Sequence, residues 1–207
     1  MKLLRETIRG ILLTEGMKTV DDLPEDAYVW IMDNDSTFSI RIDAPSWSDQ
    51  AYLTLTRHKW PPCSGAWEVA RANAPSGWGP LAYDIAMEYV GHEGIMCDRS
   101  SVSTDAARVW DFYLNSRPDV KAVQLDSLNK PFITPDDQSD DCAGNTFLTH
   151  QYQELDDAAP GANRFDPIEF PEHGELWKDH WSTKKYVKMD GSPTIDKLND
   201  MNILEYK

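Results

Sequence analysis

Two stretches of this chain alternate apolar and polar residues with period two: Phe38-Ser39-Ile40-Arg41-Ile42 and Tyr52-Leu53-Thr54-Leu55-Thr56. Such alternation sends one face of a strand to a core and the other toward solvent. An aromatic and apolar run at 28–32 precedes them, separated by the turn-forming Asp33-Asn34-Asp35-Ser36. A fourth run, 66–72, follows a loop that holds Pro61, Pro62 and Gly65. Four short runs with turn chemistry between them predict an antiparallel meander.

After Pro80 the period becomes helical. Leu81, Ala82, Ile85, Ala86 and Tyr89 form one stripe, and Gly91 supplies the stop. Ile95-Met96-Cys97 reads as a short buried strand. Ser103 is placed to cap a second helix that turns Ala106, Val109, Trp110, Tyr113 and Leu114 inward and ends before Pro118. Residues 120–125 predict a further strand. The order predicts an α/β (α+β) fold: a mixed central sheet flanked by helices, which cross over between parallel neighbours.

The two ends read differently. Leu4, Ile8, Ile11 and Leu12 recur at helical spacing beside Lys2, Arg5 and Arg9, which predicts an amphipathic N-terminal helix within residues 1–22. It either packs on the domain or docks a protein partner. Past residue 126 the periodicity fades, with an acidic loop at 136–141 and a proline-rich irregular excursion at 154–175. Residues 186–188 predict a short strand, and Thr194 is placed to cap a final helix. The expected organisation is one domain over 23–207, its core at about 27–126 and an irregular extension at 127–207.

Composition narrows the functional classes. With 8 Trp, 8 Tyr and 6 Phe in 207 residues, the chain has the material for a packed core. A net charge of −15 repels phosphate backbones, and no basic patch offsets it, so no nucleic-acid partner is expected. No apolar run approaches the roughly 20 residues of a membrane span, and charges interrupt the N-terminus too early for a signal peptide. Cys63, Cys97 and Cys142 are odd in number and far apart, so neither a disulfide framework nor a zinc ribbon is expected. These features predict a reduced, cytoplasmic setting. Cys142 with His150 matches no nucleophile motif, and His173 and His180 do not have H-E-x-x-H spacing, so no metal is expected.

The chemistry concentrates in Ala74-Pro75-Ser76-Gly77-Trp78-Gly79-Pro80, where a strand ends and a helix begins. Glycines there let an anion approach backbone N–H groups, and the helix dipole adds attraction. Pro80 costs nothing at the first helical turn, because its missing N–H had no helical partner. No Lys-Ser/Thr follows, so this is not a Walker loop, and no third glycine completes a Rossmann fingerprint. A plain strand-to-helix turn is the other reading of the same residues.

The succession of meander, glycine turn, helix, strand and the helix containing Ala106-Ala107-Arg108-Val109-Trp110-Asp111-Phe112-Tyr113 resembles the GNAT family of N-acetyltransferases, over roughly residues 27–126. That family holds the pyrophosphate of acetyl-CoA on a Q/R-x-x-G-x-G/A segment. The resemblance therefore implies that Ala74, Ser76, Gly77, Trp78 and Gly79 bind acetyl-CoA, with Ala74 standing where Gln or Arg is usual. It implies that Tyr113 protonates the departing thiolate, although Asn115-Ser116-Arg117-Pro118 replaces the family's usual Gly-Phe. Glu68, on the strand before the turn, is the candidate base toward an amine acceptor. The stretch also resembles acetyltransferase-like proteins of bacteriophages, which implies a host-cytoplasmic or virion location. The other class left open is the same fold kept as a non-catalytic structural or interaction module.

Overall fold

The computed structural model describes residues 16–57, 66–98, 102–125, 180–189 and 191–207. Strands β1 (Tyr28–Asn34), β2 (Thr37–Asp43), β3 (Ala51–Arg57) and β4 (Trp67–Asn73) pair antiparallel in succession. The register sets Ile31 opposite Ile40 and Ile40 opposite Leu53, all fully buried. The period-two pattern thus becomes a continuous apolar stripe across three strands.

Helix α1 (Gly79–Val90) returns the chain to β5 (Ile95–Met96), which lies parallel to β4. Helix α2 (Thr104–Ser116) leads to β6 (Val120–Gln124). The remaining elements are β7 (Lys184–Lys188), α3 (Pro193–Asp200) and β8 (Leu204–Tyr206). The eight strands form one mixed sheet in the order β6-β7-β5-β4-β3-β2-β1-β8. No helix among the described residues is long and apolar enough to cross a membrane.

Four details differ from the sequence reading. β5 and β6 are not neighbours, because β7 lies between them and is antiparallel to both. Its Tyr186 packs against Trp110, with ring centroids 5.1 Å apart, and this contact anchors a strand that local periodicity barely marks. The C-terminus adds β8, parallel to β1 at the far edge, so β7 and β8 belong to the same sheet as the meander. Thr194 does not cap α3. Its backbone N–H and that of Ile195 each donate to the buried carboxylate of Glu88 on α1, both at 2.9 Å. Of the predicted N-terminal helix, residues 16–22 instead form a turn, an extended segment and a short 3-10 turn at Val20–Asp22. Residues 1–15, the 136–141 loop, the 154–175 excursion, Cys63, Cys142, His150 and His173 lie outside the described residues.

Behind α1 sits a charged network in which Lys188 Nζ, on β7, lies 3.1 Å from Glu88, 3.3 Å from Asp119 and 3.9 Å from Asp84. Arg117 completes it, 2.9 Å from Asp84 and 2.6 Å from Asp119. The hydrogen bond from Arg117 holds the Asp119 carboxyl below the usual carboxylate range. Burial pushes Asp84 upward despite both cations.

Tyr83, Tyr113 and Tyr186 are buried, and burial raises all three phenols above the ordinary range near 10. The unfolded chain ionises first, so the stability they contribute is complete below pH 10 and falls as pH rises beyond it. At pH 11 each tyrosine costs about 1.4 kcal/mol of folding free energy. Urea midpoints at pH 8 and pH 11 should therefore differ sharply, and equal midpoints would contradict the burial of these hydroxyls.

Candidate functional site

β4 and β5 share only two register pairs, Trp67 with Ile95 and Glu68 with Met96. On its other side, β4 pairs Arg71 with Thr54 and Val69 with Leu55, which leaves Ala70 as a bulge. A bulge bends its strand and increases the local twist. From Val69 onward the β5-facing edge of β4 has no strand partner among the described residues. A cavity of about 250 Å³ opens there, with Arg71, Asp98 and Trp110 in its wall.

A second cavity, of about 580 Å³, lies where β4 turns into α1. That volume falls within the range of small-molecule sites. Ala72, Tyr83, Ser103 and Ala106 line both cavities, so the two adjoin.

The turn between β4 and α1 explains why each glycine is a glycine. The Trp78 N–H donates to the Pro75 carbonyl at 3.1 Å, and Gly77 has φ +85°. This is the position where a type II turn requires a positive φ. The Lys18 N–H donates to the Gly77 carbonyl at 3.0 Å, strapping the N-terminal segment onto the turn. A Cβ at Gly77 would collide with the Gly16 carbonyl oxygen. Gly77 is therefore required by its conformation and by close packing. At Gly79, in contrast, a Cβ would meet nothing within 4 Å. Gly79 opens α1 at the wall of the larger cavity, and its missing side chain leaves that space clear.

Two helix N-termini border this cavity, and they differ electrostatically. α2 is capped: the Ser103 hydroxyl oxygen accepts the Ala106 N–H at 3.3 Å, and Asp105 sits in the first turn. α1 has neither a side-chain cap nor an acid in its first turn. No side chain of its own first turn compensates its positive end, which suits an anion, while the Asp105 carboxylate of α2 lines the same cavity and opposes one. No Lys or Arg lines this cavity, so backbone N–H groups and the helix dipole would have to hold an anion there.

Ala74, Ser76, Gly77 and Gly79 lie in the cavity wall, while Trp78 does not. The Trp78 side chain is buried against Trp47, with ring centroids 4.6 Å apart, and the Trp78 backbone N–H already donates to the Pro75 carbonyl. Tyr113 lines neither cavity. Its hydroxyl is buried and hydrogen-bonds the Pro80 carbonyl and Asp84, each at 3.0 Å, while the Arg117 guanidinium lies 5.3 Å from the ring centroid. Tyr113 thus ties α1 to α2. Glu68 is half-buried and alternates with the buried Trp67 and Val69, so it lies on the opposite face of β4 and outside both walls.

Sequence reasoning missed Tyr83. It is 3% exposed, lines both cavities and packs edge-on against Trp110 at 5.1 Å. Its hydroxyl has no hydrogen-bond partner among the described residues, and burial with Cys97 nearby pushes its phenol above the ordinary range. One signal could have found it: Tyr83 stands four residues after Gly79, on the same side of α1.

Comparison of this chain with protein-family models, with characterised proteins and with solved structures finds no match.

Proposed function

We propose that this protein is an acyl-CoA-dependent N-acyltransferase with a GNAT-like fold, moving an acetyl group from acetyl-CoA to an amine. The observation that carries this reading is the pair of adjoining cavities: one under the uncapped N-terminus of α1, the other where β4 leaves β5. A pyrophosphate fits the first, against the Gly79 N–H. An extended, amide-bearing arm fits the second, because the edge of β4 from Val69 onward, which no described strand covers, can hydrogen-bond it as an added strand would. The sheet order, with its parallel β4–β5 pair between antiparallel flanks, further supports the family resemblance.

In the reaction the amine nitrogen attacks the thioester carbonyl carbon, and collapse of the tetrahedral intermediate breaks the carbon–sulfur bond. An amine reaching the opening from the far face of the sheet would pass Glu68, the candidate base, which acts directly or through a water. The electron pair leaves on sulfur. Solvent can protonate that thiolate, since Tyr113 stays engaged with Pro80 and Asp84. The same engagement favours a second reading, a module that binds the cofactor or a partner without turnover.

Gly79→Glu tests the cofactor site, because a Cβ there meets nothing within 4 Å and a longer acidic side chain would grow from the wall of the larger cavity. Calorimetric titration of the native protein with acetyl-CoA should give a dissociation constant in the micromolar range. The variant should bind at least about tenfold more weakly, a loss of 1.4 kcal/mol or more, with an unchanged melting midpoint. If the native protein does not bind, the reading is lost. Binding without thiol release across a panel of amines would favour the non-catalytic module.

A further inference from the structure

A buried hydroxyl without a partner is costly, because folding removes it from water and returns no hydrogen bond. Native structures seldom keep one unless something else completes it. Among the described residues the Tyr83 hydroxyl has no hydrogen-bond partner, and the residue, at 3% exposure, lines both cavities. Its neighbours there leave room: Ala72 and Ala106 are small, and the Ser103 oxygen already accepts the Ala106 N–H. Tyr83 also lies one turn along α1 from Gly79, about 6 Å at 1.5 Å per residue.

We propose that the Tyr83 hydroxyl donates a hydrogen bond to the ligand's arm at the junction of the two cavities, to an amide carbonyl close to the phosphate end. The inference rests on the acyl-CoA reading and adds to it a binding residue on α1 outside the glycine turn. The contact involves no proton transfer. The phenol remains protonated throughout, consistent with a hydroxyl held above its ordinary range by burial. A phosphate anchored at Gly79 would set the distance, so that the first carbonyl of the arm reaches Tyr83 while the acyl end continues into the opening between β4 and β5. The bound ligand would then supply the acceptor that no described residue gives the Tyr83 hydroxyl. This makes the site selective for ligands that carry an acceptor at that point.

The test compares Tyr83→Phe with the native protein. The variant keeps the ring and its packing on Trp110 and loses only the hydroxyl. Acetyl-CoA should bind about five- to twentyfold more weakly, as expected for one lost hydrogen bond, while the melting midpoint stays the same or rises. ADP, which has the pyrophosphate but no arm, should bind both proteins equally. Equal affinity of the two proteins for acetyl-CoA would overturn the proposal. So would an equal loss of ADP binding, or a lowered midpoint, since either would make the hydroxyl structural. If native protein binds neither acetyl-CoA nor ADP, the acyl-CoA reading itself fails, and this contact fails with it.

Discussion

Lys188→Met lowers the stability of the fold by about 3–5 kcal/mol, the usual cost of leaving a buried charge without its partner. The Lys188 side chain is only 6% exposed, and its ammonium lies 3.1 Å from Glu88, whose side chain is fully buried. Asp84 and Asp119 keep Arg117 after the substitution, whereas among the described residues Glu88 keeps only the N–H groups of Thr194 and Ile195. The loss is therefore concentrated on one carboxylate, which joins α1, β7 and the start of α3. A domain of this kind has about 5–15 kcal/mol of stability in total, so the variant should unfold at far lower urea. Adding Glu88→Gln removes the stranded charge and should recover part of the loss, a coupling that a double-mutant cycle measures directly. If Lys188→Met unfolds at the native midpoint, the network contributes nothing, and its geometry would have to be explained otherwise.

The second large effect separates two glycines that look alike in the sequence. Gly77→Ala should cost at least about 2 kcal/mol, because a Cβ is disfavoured at positive φ and would also displace the Gly16–Lys18 strap. Gly79→Ala should be neutral or stabilising by up to about 1 kcal/mol, since alanine is the better helix former and the space is open. Urea unfolding of the two variants provides the comparison. Equal effects would mean that the turn does not hold the N-terminal segment as described. The contrast also guides binding experiments. A ligand defect in a Gly77 variant is confounded with damage to the turn, and one in a Gly79 variant is not.

The elements with strong local periodicity were legible from the chain. β1 to β4, α1 and α2 each lie within one or two residues of their predicted bounds, because half-burial imprints period two or a helical stripe on the residues themselves. Ser103 was legible as a cap for the same local reason. The short strands β7 and β8 were harder. Their stability comes from distant partners, Trp110 against Tyr186 and β1 alongside β8, and such partners leave little trace in the sequence nearby. The cap of α3 was illegible because Glu88, which supplies it, lies more than 100 positions away.

The candidate site divides in the same way. By itself the sequence determined that a glycine turn joins the fourth strand to a helix, since Pro75, Gly77, Gly79 and Pro80 restrict the backbone locally. Only the tertiary structure decided what each residue does there. It assigned Gly77 to the strap, Gly79 to the cavity, Trp78 to the core, and Tyr113 to the tie between helices, with Tyr83 a buried phenol on the wall of both cavities that has no hydrogen-bond partner among the described residues. The physical reason is that backbone freedom is a property of a few consecutive residues. Burial, hydrogen-bond partnership and open space depend on what the rest of the chain brings to the same place.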